Sequence, residues 1–501
     1  MKRTMIDRLM PSSATVAVAA ILAATELPAV VKVKCSAWRG ETIVVRLRDF
    51  DVRRTPPPGL TLREGRVEPV RYRTDAAGIE DEAYMHYGWV ADRVVWGGNG
   101  DGPRVLEISV DPEARAGVYD FDDIRLTVSD RVLPPPREWK YYLDLWQHPW
   151  AVARVKGVEP FSKAHYDAMR PVYELLATAG QKCITATLLE EPWNHQCYDA
   201  YHAMVAKHRA ADGSWSYDYS VFDEYVAFAE SCGIGPDIAC YTMCPWGDLV
   251  DWIDPDGKVS RAAAPPGSDF FREYWTSFLI DFAKHLKEKR WLGRTFIAMD
   301  ERRPEDVRRI VSLVRAVAPG LKVSMPGDLS PEEVSSIGFD NYCSGLSKVT
   351  PAFCELARQR RRQGLVTTCY VCCGPAKPNT FLSANAGEAY WLGLYPATSG
   401  LDGFLRWAWN SWGSNPTKDG SYGYWRSGDV YLCYPDGEPS WRFLQLRAGI
   451  AAAEKYHIFK ASGTETERLT ELDRMFDVKA AMGGKLDFRQ IRVDAEAILN
   501  R

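Results

Sequence analysis

The chain has 501 residues, which is too many for one ordinary hydrophobic core and predicts two or three domains. Its 62 basic and 66 acidic residues leave a net charge of -4, which argues against a nucleic-acid-binding surface or a polybasic membrane patch. The 18 Trp and 24 Tyr supply flat apolar faces with polar edges, which suit core packing and also stacking against sugar rings.

The N-terminus carries Lys2, Arg3 and Arg8, followed by a short stretch of small apolar residues over 14–24. This pattern resembles the charged and hydrophobic regions of a signal peptide, but the same stretch fits a first β-strand equally well. The location of the protein therefore stays open between secreted or periplasmic and cytoplasmic. No segment approaches the roughly 20 apolar residues of a spanning helix, so we expect no integral membrane segment.

The first 132 residues predict a β-sandwich domain, because short alternating or β-branched runs recur with no helix between them. These runs cover residues 30–35, 42–47, 104–110 and 123–128. The prolines at 134–136 cannot continue a strand ladder and predict a stiff connector, so a second domain is expected over 138–457.

The second domain predicts a (β/α)8 barrel, because eight apolar runs alternate with segments of helical spacing. The predicted strands are 141–147, 182–189, 236–243, 294–300, 321–326, 339–344, 365–373 and 403–410. A helix near 437–457 would complete the eighth unit, and a short helical tail is expected over 458–501. The fold class is thus a multidomain α/β protein with a barrel between a sandwich and a tail.

Residues that follow the barrel strands are candidates for an active site, because the C-terminal ends of such strands and their loops form it. Asp300 and Glu301, at the end of the fourth strand, are the predicted catalytic residues. The predicted substrate-binding residues are Tyr370, Trp409, Asn410, Trp412, Trp146, His148, Trp246 and Glu190.

Two adjacent carboxylates suit glycoside chemistry, because like charges held close keep one carboxyl protonated as an acid. Ideal strand alternation would send Asp300 and Glu301 to opposite faces, so both reach one pocket only if the strand ends or bulges there. The alternative is a surface salt bridge with Arg302 or Arg303.

Neither a metal nor a cofactor is predicted. His195, Cys197 and His202 lie close in sequence but lack a repeated ligand spacing, and the cysteines at 369, 372 and 373 would face opposite sides of a strand. No Gly-rich phosphate loop and no G-x-S-x-G nucleophile elbow occurs. A carbohydrate is the expected partner, and the oligomeric state is not predicted.

Five segments together resemble glycoside hydrolase family 123: residues 36–41, 296–301, 368–375, 403–412 and 427–435. The resemblance implies an exo-acting β-N-acetylgalactosaminidase that retains configuration by substrate assistance through an oxazolinium intermediate. It implies that Asp300 accepts the acetamido N–H and that Glu301 protonates the leaving oxygen and then deprotonates water. It also implies that Tyr370 hydrogen-bonds the acetamido carbonyl.

One departure from the family pattern bears on activity. Many relatives have a proline directly after the doublet, whereas Arg302 and Arg303 intervene here before Pro304. Two other functions remain open at this stage. One is a β-glycosidase that uses Glu301 with Glu190 or Glu191 as separate carboxylates, and the other is a non-catalytic carbohydrate-binding protein.

Overall fold

The computed structural model describes residues 33–47, 55–74, 86–98 and 102–500. The candidate signal peptide and residues 30–32 of the first predicted strand lie outside the described residues. Within those residues, no helix has the length and apolar character needed to cross a membrane.

The N-terminal part forms two sheets that share a small core. Its strands are β1 (Val33–Arg39), β2 (Thr42–Arg46), β3 (Leu60–Arg73), β4 (Tyr87–Trp96), β5 (Arg104–Val110), β6 (Gly117–Phe121) and β7 (Ile124–Val132). One sheet has the order β1-β7-β6, and the other has the antiparallel order β2-β5-β3-β4. Ala37, Ile108 and Leu126, from both sheets, pack in one buried cluster. The second sheet also contributes Val70 and Val94 to the large core of the barrel, so the two domains pack directly together.

After the proline connector, the chain contains fourteen further strands, most of them in the barrel. They are β8 (Tyr142–Leu145), β9 (Cys183–Thr187), β10 (Ala206–Arg209), β11 (Trp215–Asp218), β12 (Asp237–Tyr241), β13 (Leu249–Ile253), β14 (Val259–Ala263), β15 (Thr295–Ala298), β16 (Lys322–Gly327), β17 (Asn341–Gly345), β18 (Val366–Tyr370), β19 (Gly403–Arg406), β20 (Cys433–Tyr434) and β21 (Glu438–Pro439).

Eight of these strands form the parallel barrel, in the order β8-β19-β18-β17-β16-β15-β12-β9. A parallel bridge between Leu143 and Gln181 brings the two ends of this sheet together, and the Lys182 N–H donates to the Leu143 carbonyl at 2.9 Å. Each predicted barrel strand overlaps one of the eight, with β16 and β17 each ending one residue beyond the predicted range, and the predicted fold class is confirmed.

The helices lie mainly outside the barrel. They are α1 (Pro149–Lys156), α2 (Lys163–Ala177), α3 (Ser220–Ser231), α4 (Asp269–Glu288), α5 (Pro304–Val317), α6 (Pro331–Ile337), α7 (Pro351–Arg362), α8 (Ala386–Ser399), α9 (Trp441–Ser462), α10 (Thr466–Met475), α11 (Val478–Met482) and α12 (Phe488–Leu499). Helix α9 runs through the predicted domain boundary at residue 457. The tail after α9 is helical, as expected, and reaches the N-terminal domain, where Trp38 Nε1 donates to the Leu499 carbonyl at 2.9 Å.

Long loops cover the C-terminal mouth of the barrel. The segment between β9 and α3 and the segment between β12 and α4 together form a four-stranded sheet with the order β11-β10-β13-β14. The loop after β19 runs to α9 and includes the short pair β20 and β21. These three loops form much of the rim around the strand ends.

Candidate active site

A pocket of about 180 Å³ lies at the C-terminal mouth of the barrel. Residues in or after seven of the barrel strands line it: Trp146 after β8, Trp193 after β9, Trp246 after β12, Asp300 after β15, Pro326 in β16, Tyr370 at the end of β18 and Trp407 after β19. The parallel strands all end at this face, so the residues that follow different strands lie close together there.

Asp300 and Glu301 both line this pocket, although they are adjacent in sequence. Strand β15 ends at Ala298, and Glu301 has a φ of +48°, which is uncommon for a residue with a side chain. The Glu301 N–H donates to the Pro326 carbonyl at 3.1 Å, which fixes this turn against β16. The strand therefore ends at the doublet. This ending is what allows both carboxylates to reach the same pocket. An unusual φ of this kind is a frequent feature of functional sites.

The two carboxylates differ in depth. Asp300 is partly buried, whereas Glu301 is exposed at the pocket. Burial raises the pKa of Asp300 to about 8, and the charge of the neighbouring Glu301 acts in the same direction. The indole N–H groups of Trp246 and Trp193 oppose this rise only in part. A carboxyl with such a pKa holds a proton at neutral pH.

Tyr370 connects the end of β18 to the doublet. Its hydroxyl donates a hydrogen bond of 2.5 Å to Oε1 of Glu301. Burial and the negative charge of Glu301 raise the pKa of Tyr370, so the hydroxyl keeps its proton and remains a donor. This contact orients the Glu301 carboxylate. The predicted contact of Tyr370 with an acetamido carbonyl stays a prediction.

The arginine pair after the doublet has partners elsewhere. Arg302 Nε donates to Cys244 Sγ at 3.1 Å, and its Nη2 lies 3.1 Å from Oδ1 of Asp248. Arg303 pairs with Asp306 at 2.8 Å, within the first turn of α5. Both guanidinium groups are thus held by groups other than Glu301.

Two groups of aromatic rings form much of the pocket wall. In one group, Trp146 stacks on Trp193 with ring centroids 5.3 Å apart. In the other group, the Trp425 ring centroid lies 5.3 Å from that of Trp407 and 4.3 Å from that of Tyr424. Flat apolar faces around a polar floor suit a sugar ring, whose C–H faces pack on aromatics while its hydroxyls need hydrogen bonds.

A buried ion pair fixes Trp407. Arg406 and Asp429 are fully buried, with 2.7 Å between Arg406 Nη2 and Asp429 Oδ1. The same carboxylate oxygen accepts the Trp407 indole N–H at 3.1 Å. Arg406 also donates to the Val371 carbonyl at 3.0 Å. The segments 403–412 and 427–435 therefore meet in one network beside the pocket.

Two predicted substrate-binding tryptophans do not line the pocket. Trp409 is fully buried, donates to the Val172 carbonyl at 3.3 Å and packs on Phe443. Trp412 donates to the Cys433 carbonyl at 2.7 Å. Both indoles attach the loop after β19 to its surroundings, because their N–H groups are used by backbone carbonyls in the interior.

Asn410 and His148 are likewise placed in the interior. The Asn410 side chain bonds both the N–H and the carbonyl of His148, at 2.8 and 3.0 Å. The His148 ring stacks on Tyr201 with centroids 3.7 Å apart, and its Nε2 lies 3.0 Å from the Asp199 carbonyl. Burial lowers the pKa of His148 to about 3, so this ring stays neutral. The predicted substrate contacts of Asn410 and His148 stay predictions.

Glu190 is placed in a loop contact outside the pocket. It accepts from the Ala203 N–H at 2.8 Å, and its other oxygen lies 2.7 Å from His202 Nδ1. Burial opposes ionisation, but the bonds from His202 and Ala203 lower the pKa of Glu190 overall. The Glu190 carboxylate stabilises the loop after β9 through these bonds, whereas the sequence predicted that it contacts substrate.

Several pocket residues were not among the predicted ones, namely Trp193, Gln196, Cys372, Cys373, Trp407, Tyr424 and Trp425. Strand alternation could have found Trp407, because it lies two positions after Leu405 and both line the pocket. Tyr424 and Trp425 come from a loop, for which no periodicity exists.

Within the described residues, no group of three or more His, Cys, Asp or Glu side chains is arranged to hold a metal ion.

A barrel with an acidic doublet in an aromatic pocket at its C-terminal mouth has the architecture of a glycoside hydrolase. The family described as glycoside hydrolase 123, catalytic domain, matches residues 146–459, which is more than half of the chain. The chain therefore belongs to glycoside hydrolase family 123, and the predicted family is confirmed.

Among solved structures, the chain is similar to a family 123 glycoside hydrolase from Clostridium perfringens, studied for the details of glycolipid glycan hydrolysis. The TM-score is 0.76 at 22% identity, with 93% of this chain and 94% of that chain covered, which supports the fold alone. A family 10 xylanase from Thermobacillus composti has a TM-score of 0.34 at 11% identity, with 62% of this chain and 97% of that chain covered. A β-galactosidase from Marinomonas ef1 has a TM-score of 0.36 at 11% identity, covering 66% and 61%. Neither of these two carries an argument, and the search of curated proteins found no match.

Proposed function

We propose that this glycoside hydrolase removes terminal β-linked N-acetylgalactosamine from glycans by a retaining, substrate-assisted mechanism. The observation that carries the proposal is that Asp300 and Glu301 line one pocket at different depths, Asp300 partly buried and Glu301 exposed. The deeper carboxylate suits a substituent of the bound sugar, and the outer one suits the leaving group and water.

The arrangement of carboxylates favours substrate assistance. A retaining enzyme with its own nucleophile needs an acid and a nucleophile roughly 5–5.5 Å apart on either side of the anomeric carbon. Among the described residues, the carboxylates that line this pocket are the adjacent Asp300 and Glu301, while Glu190 is bonded to Ala203 and His202. A 2-acetamido sugar supplies its own nucleophile, the carbonyl oxygen, so one acid/base and one orienting carboxylate are sufficient.

The reaction then needs one proton on the doublet. Before substrate binds, this proton is held on Asp300, whose pKa is raised by burial to about 8. The acetamido N–H donates to Asp300 on binding, which favours the ionised form of Asp300 and leaves the proton to Glu301. The carbonyl oxygen bonds to the anomeric carbon, the glycosidic C–O bond breaks, and Glu301 gives its proton to the leaving oxygen. Glu301 then takes a proton from the water that opens the oxazolinium ring.

The pocket fits a single terminal sugar. Its volume of about 180 Å³ is below the roughly 300–1,000 Å³ of sites for drug-sized ligands. Trp146, Trp246 and Trp407 would enclose the ring. Tyr370, which donates its single O–H to Glu301 in this structure, would turn it to the acetamido oxygen once Glu301 is protonated. The relative from Clostridium perfringens was studied for glycolipid glycan hydrolysis, so a glycolipid glycan is one candidate substrate.

Variants of the carboxylates test the proposal with an aryl β-N-acetylgalactosaminide. We expect Glu301→Gln and Asp300→Asn each to lower kcat by about 10²–10⁴, the usual contribution of a positioned acid/base or electrostatic group. Glu190→Gln is the matched control and should keep kcat within a few-fold. A loss in Glu190→Gln as large as that in Glu301→Gln, with a trappable glycosyl-enzyme, would favour the two-carboxylate mechanism. Binding of the sugar without any turnover by the parent would favour the carbohydrate-binding protein.

A further inference from the structure

Two adjacent cysteines lie in the wall of the pocket, and the proposed reaction uses neither of them. Cys372 and Cys373 follow strand β18 and line the pocket together with Glu301 and Trp407. Their Sγ atoms are 3.6 Å apart. All twelve cysteines of the chain are free, and Cys373 is the one that is exposed.

The pair makes Cys373 a nucleophile. A hydrogen bond from the Cys372 thiol lowers the pKa of Cys373 to about 7, although partial burial and the charges of Asp429 and Glu301 oppose this shift. The thiolate is the reactive form of cysteine, and it needs access as well as a low pKa. Cys354 is half-buried, and burial raises its pKa, so it lacks the low pKa.

We propose that Cys373 is a modification site for low-molecular-weight disulfides, and that Cys372 is the S–H donor that activates it. The Cys373 thiolate attacks one sulfur of the disulfide, so a new S–S bond forms and the original S–S bond breaks. The second half of the reagent leaves as a thiolate with the electron pair. The incoming disulfide is itself the oxidant, and an excess of a small thiol reverses the exchange.

The product is a mixed disulfide on Cys373. Neighbouring Cα atoms are about 3.8 Å apart, whereas disulfides span about 4.4–6.8 Å between Cα atoms, so a ring between Cys372 and Cys373 would be strained. A group attached to Cys373 would occupy pocket space beside Glu301. The modification therefore switches off sugar hydrolysis reversibly, and this consequence rests on the proposed function.

Dithiodipyridine on the full-length protein at about pH 7 provides the test, because it forms the mixed disulfide and releases an absorbing thione. We expect one rapidly reacting thiol in the parent and none in Cys373→Ser. Cys372→Ala should react at least about sixfold more slowly. Without the Cys372 donor the thiolate fraction of Cys373 falls at least about 50-fold, and the greater nucleophilicity of the remaining thiolate, about eightfold, offsets only part of this loss. The matched control Cys354→Ser should react like the parent.

Labelling is read without any turnover, so it stays informative even if the enzyme does not cleave N-acetylgalactosaminides. A rapid thiol that persists in Cys373→Ser would overturn the proposal, as would an intact mass that shows an internal disulfide instead of an added group. In an active enzyme, hydrolysis should fall in proportion to labelling and return with dithiothreitol, whereas the reagent should not change the hydrolysis rate of Cys373→Ser from that variant's own untreated rate. Full labelling with unchanged hydrolysis would contradict the proposal that the modification of Cys373 switches off sugar hydrolysis.

Discussion

The Tyr370 hydroxyl donates a 2.5 Å hydrogen bond to Oε1 of Glu301, joining the end of the seventh barrel strand to the end of the fourth. This contact orients the proposed acid/base before a sugar arrives, because the donor belongs to a residue that is itself buried. A preoriented group needs little reorganisation during the reaction.

Replacing Tyr370 by Phe removes this donor and keeps the ring. We expect kcat on an aryl β-N-acetylgalactosaminide to fall by about 10–100-fold, because Glu301 loses the hydrogen bond that orients it. Tyr342→Phe is a suitable control, since its hydroxyl bonds the Leu329 and Gly327 backbone and does not line the pocket. Unchanged kcat in Tyr370→Phe would exclude this role.

The pH profile reports the proton shared by the doublet. The mechanism needs one proton on Asp300 and Glu301 together, and the pKa of Asp300 is raised to about 8. We therefore expect kcat/KM to be maintained at neutral pH and to fall about tenfold per pH unit above this pKa, where the pair loses its proton. A profile that is flat to about pH 10 would contradict a one-proton active form.

The same pKa predicts how Asp300 affects stability. The folded chain holds a proton on Asp300 that the unfolded chain releases above its ordinary pKa of 3.8, so the contribution of this group to the free energy of unfolding falls as pH rises toward 8. Asp300→Asn removes this penalty and should be more stable than the parent by on the order of 1–3 kcal/mol near pH 9. Urea unfolding at about pH 4 should show little difference in stability between Asp300→Asn and the parent. An equal difference at both pH values would contradict the raised pKa of Asp300 as the cause of the stabilisation.

The N-terminal domain supports one wall of the pocket. The Arg73 backbone N–H donates to Ser427 Oγ at 2.9 Å, and its guanidinium donates to the Gly423 carbonyl at 2.8 Å. The loop that carries these partners also carries Tyr424 and Trp425. We expect Arg73→Ala to raise KM several-fold with a smaller change in kcat, because the wall loosens while the doublet is untouched. Arg66→Ala is the control, because Arg66 bonds Gly102 within the N-terminal domain. Equal effects of the two substitutions would count against a role for this contact.

The barrel could be predicted because each of its strands is buried on both faces and forms an apolar run in the sequence. Strands β3 and β4 were missed. The sequence of β3 carries four arginines, two glutamates and Pro69, and the pairing with β4 shifts between Glu68 and Pro69. A proline at such a bulge is compatible with a strand, but it hides the alternation on which sequence reasoning depends.

The site could be predicted where a residue stands at a strand end. Asp300, Glu301 and Tyr370 meet at the mouth because their strands do, and Trp146 follows the first strand in the same way. Trp409 and Trp412 could not be placed, because they lie beyond the end of β19. There the chain path depends on distant backbone bonds, such as those from the Leu432 N–H to the Trp409 carbonyl and from the Ser411 N–H to the Val430 carbonyl.

The most direct test of the central claim is the ratio of kcat/KM for an aryl β-N-acetylgalactosaminide to that for the matching aryl β-galactoside. The two substrates differ only at C2, where the first carries the acetamido group that Asp300 would orient and that would act as the nucleophile. We predict a ratio of at least about 10³, because without this group the pocket supplies no nucleophile. Comparable cleavage of the galactoside would contradict substrate assistance.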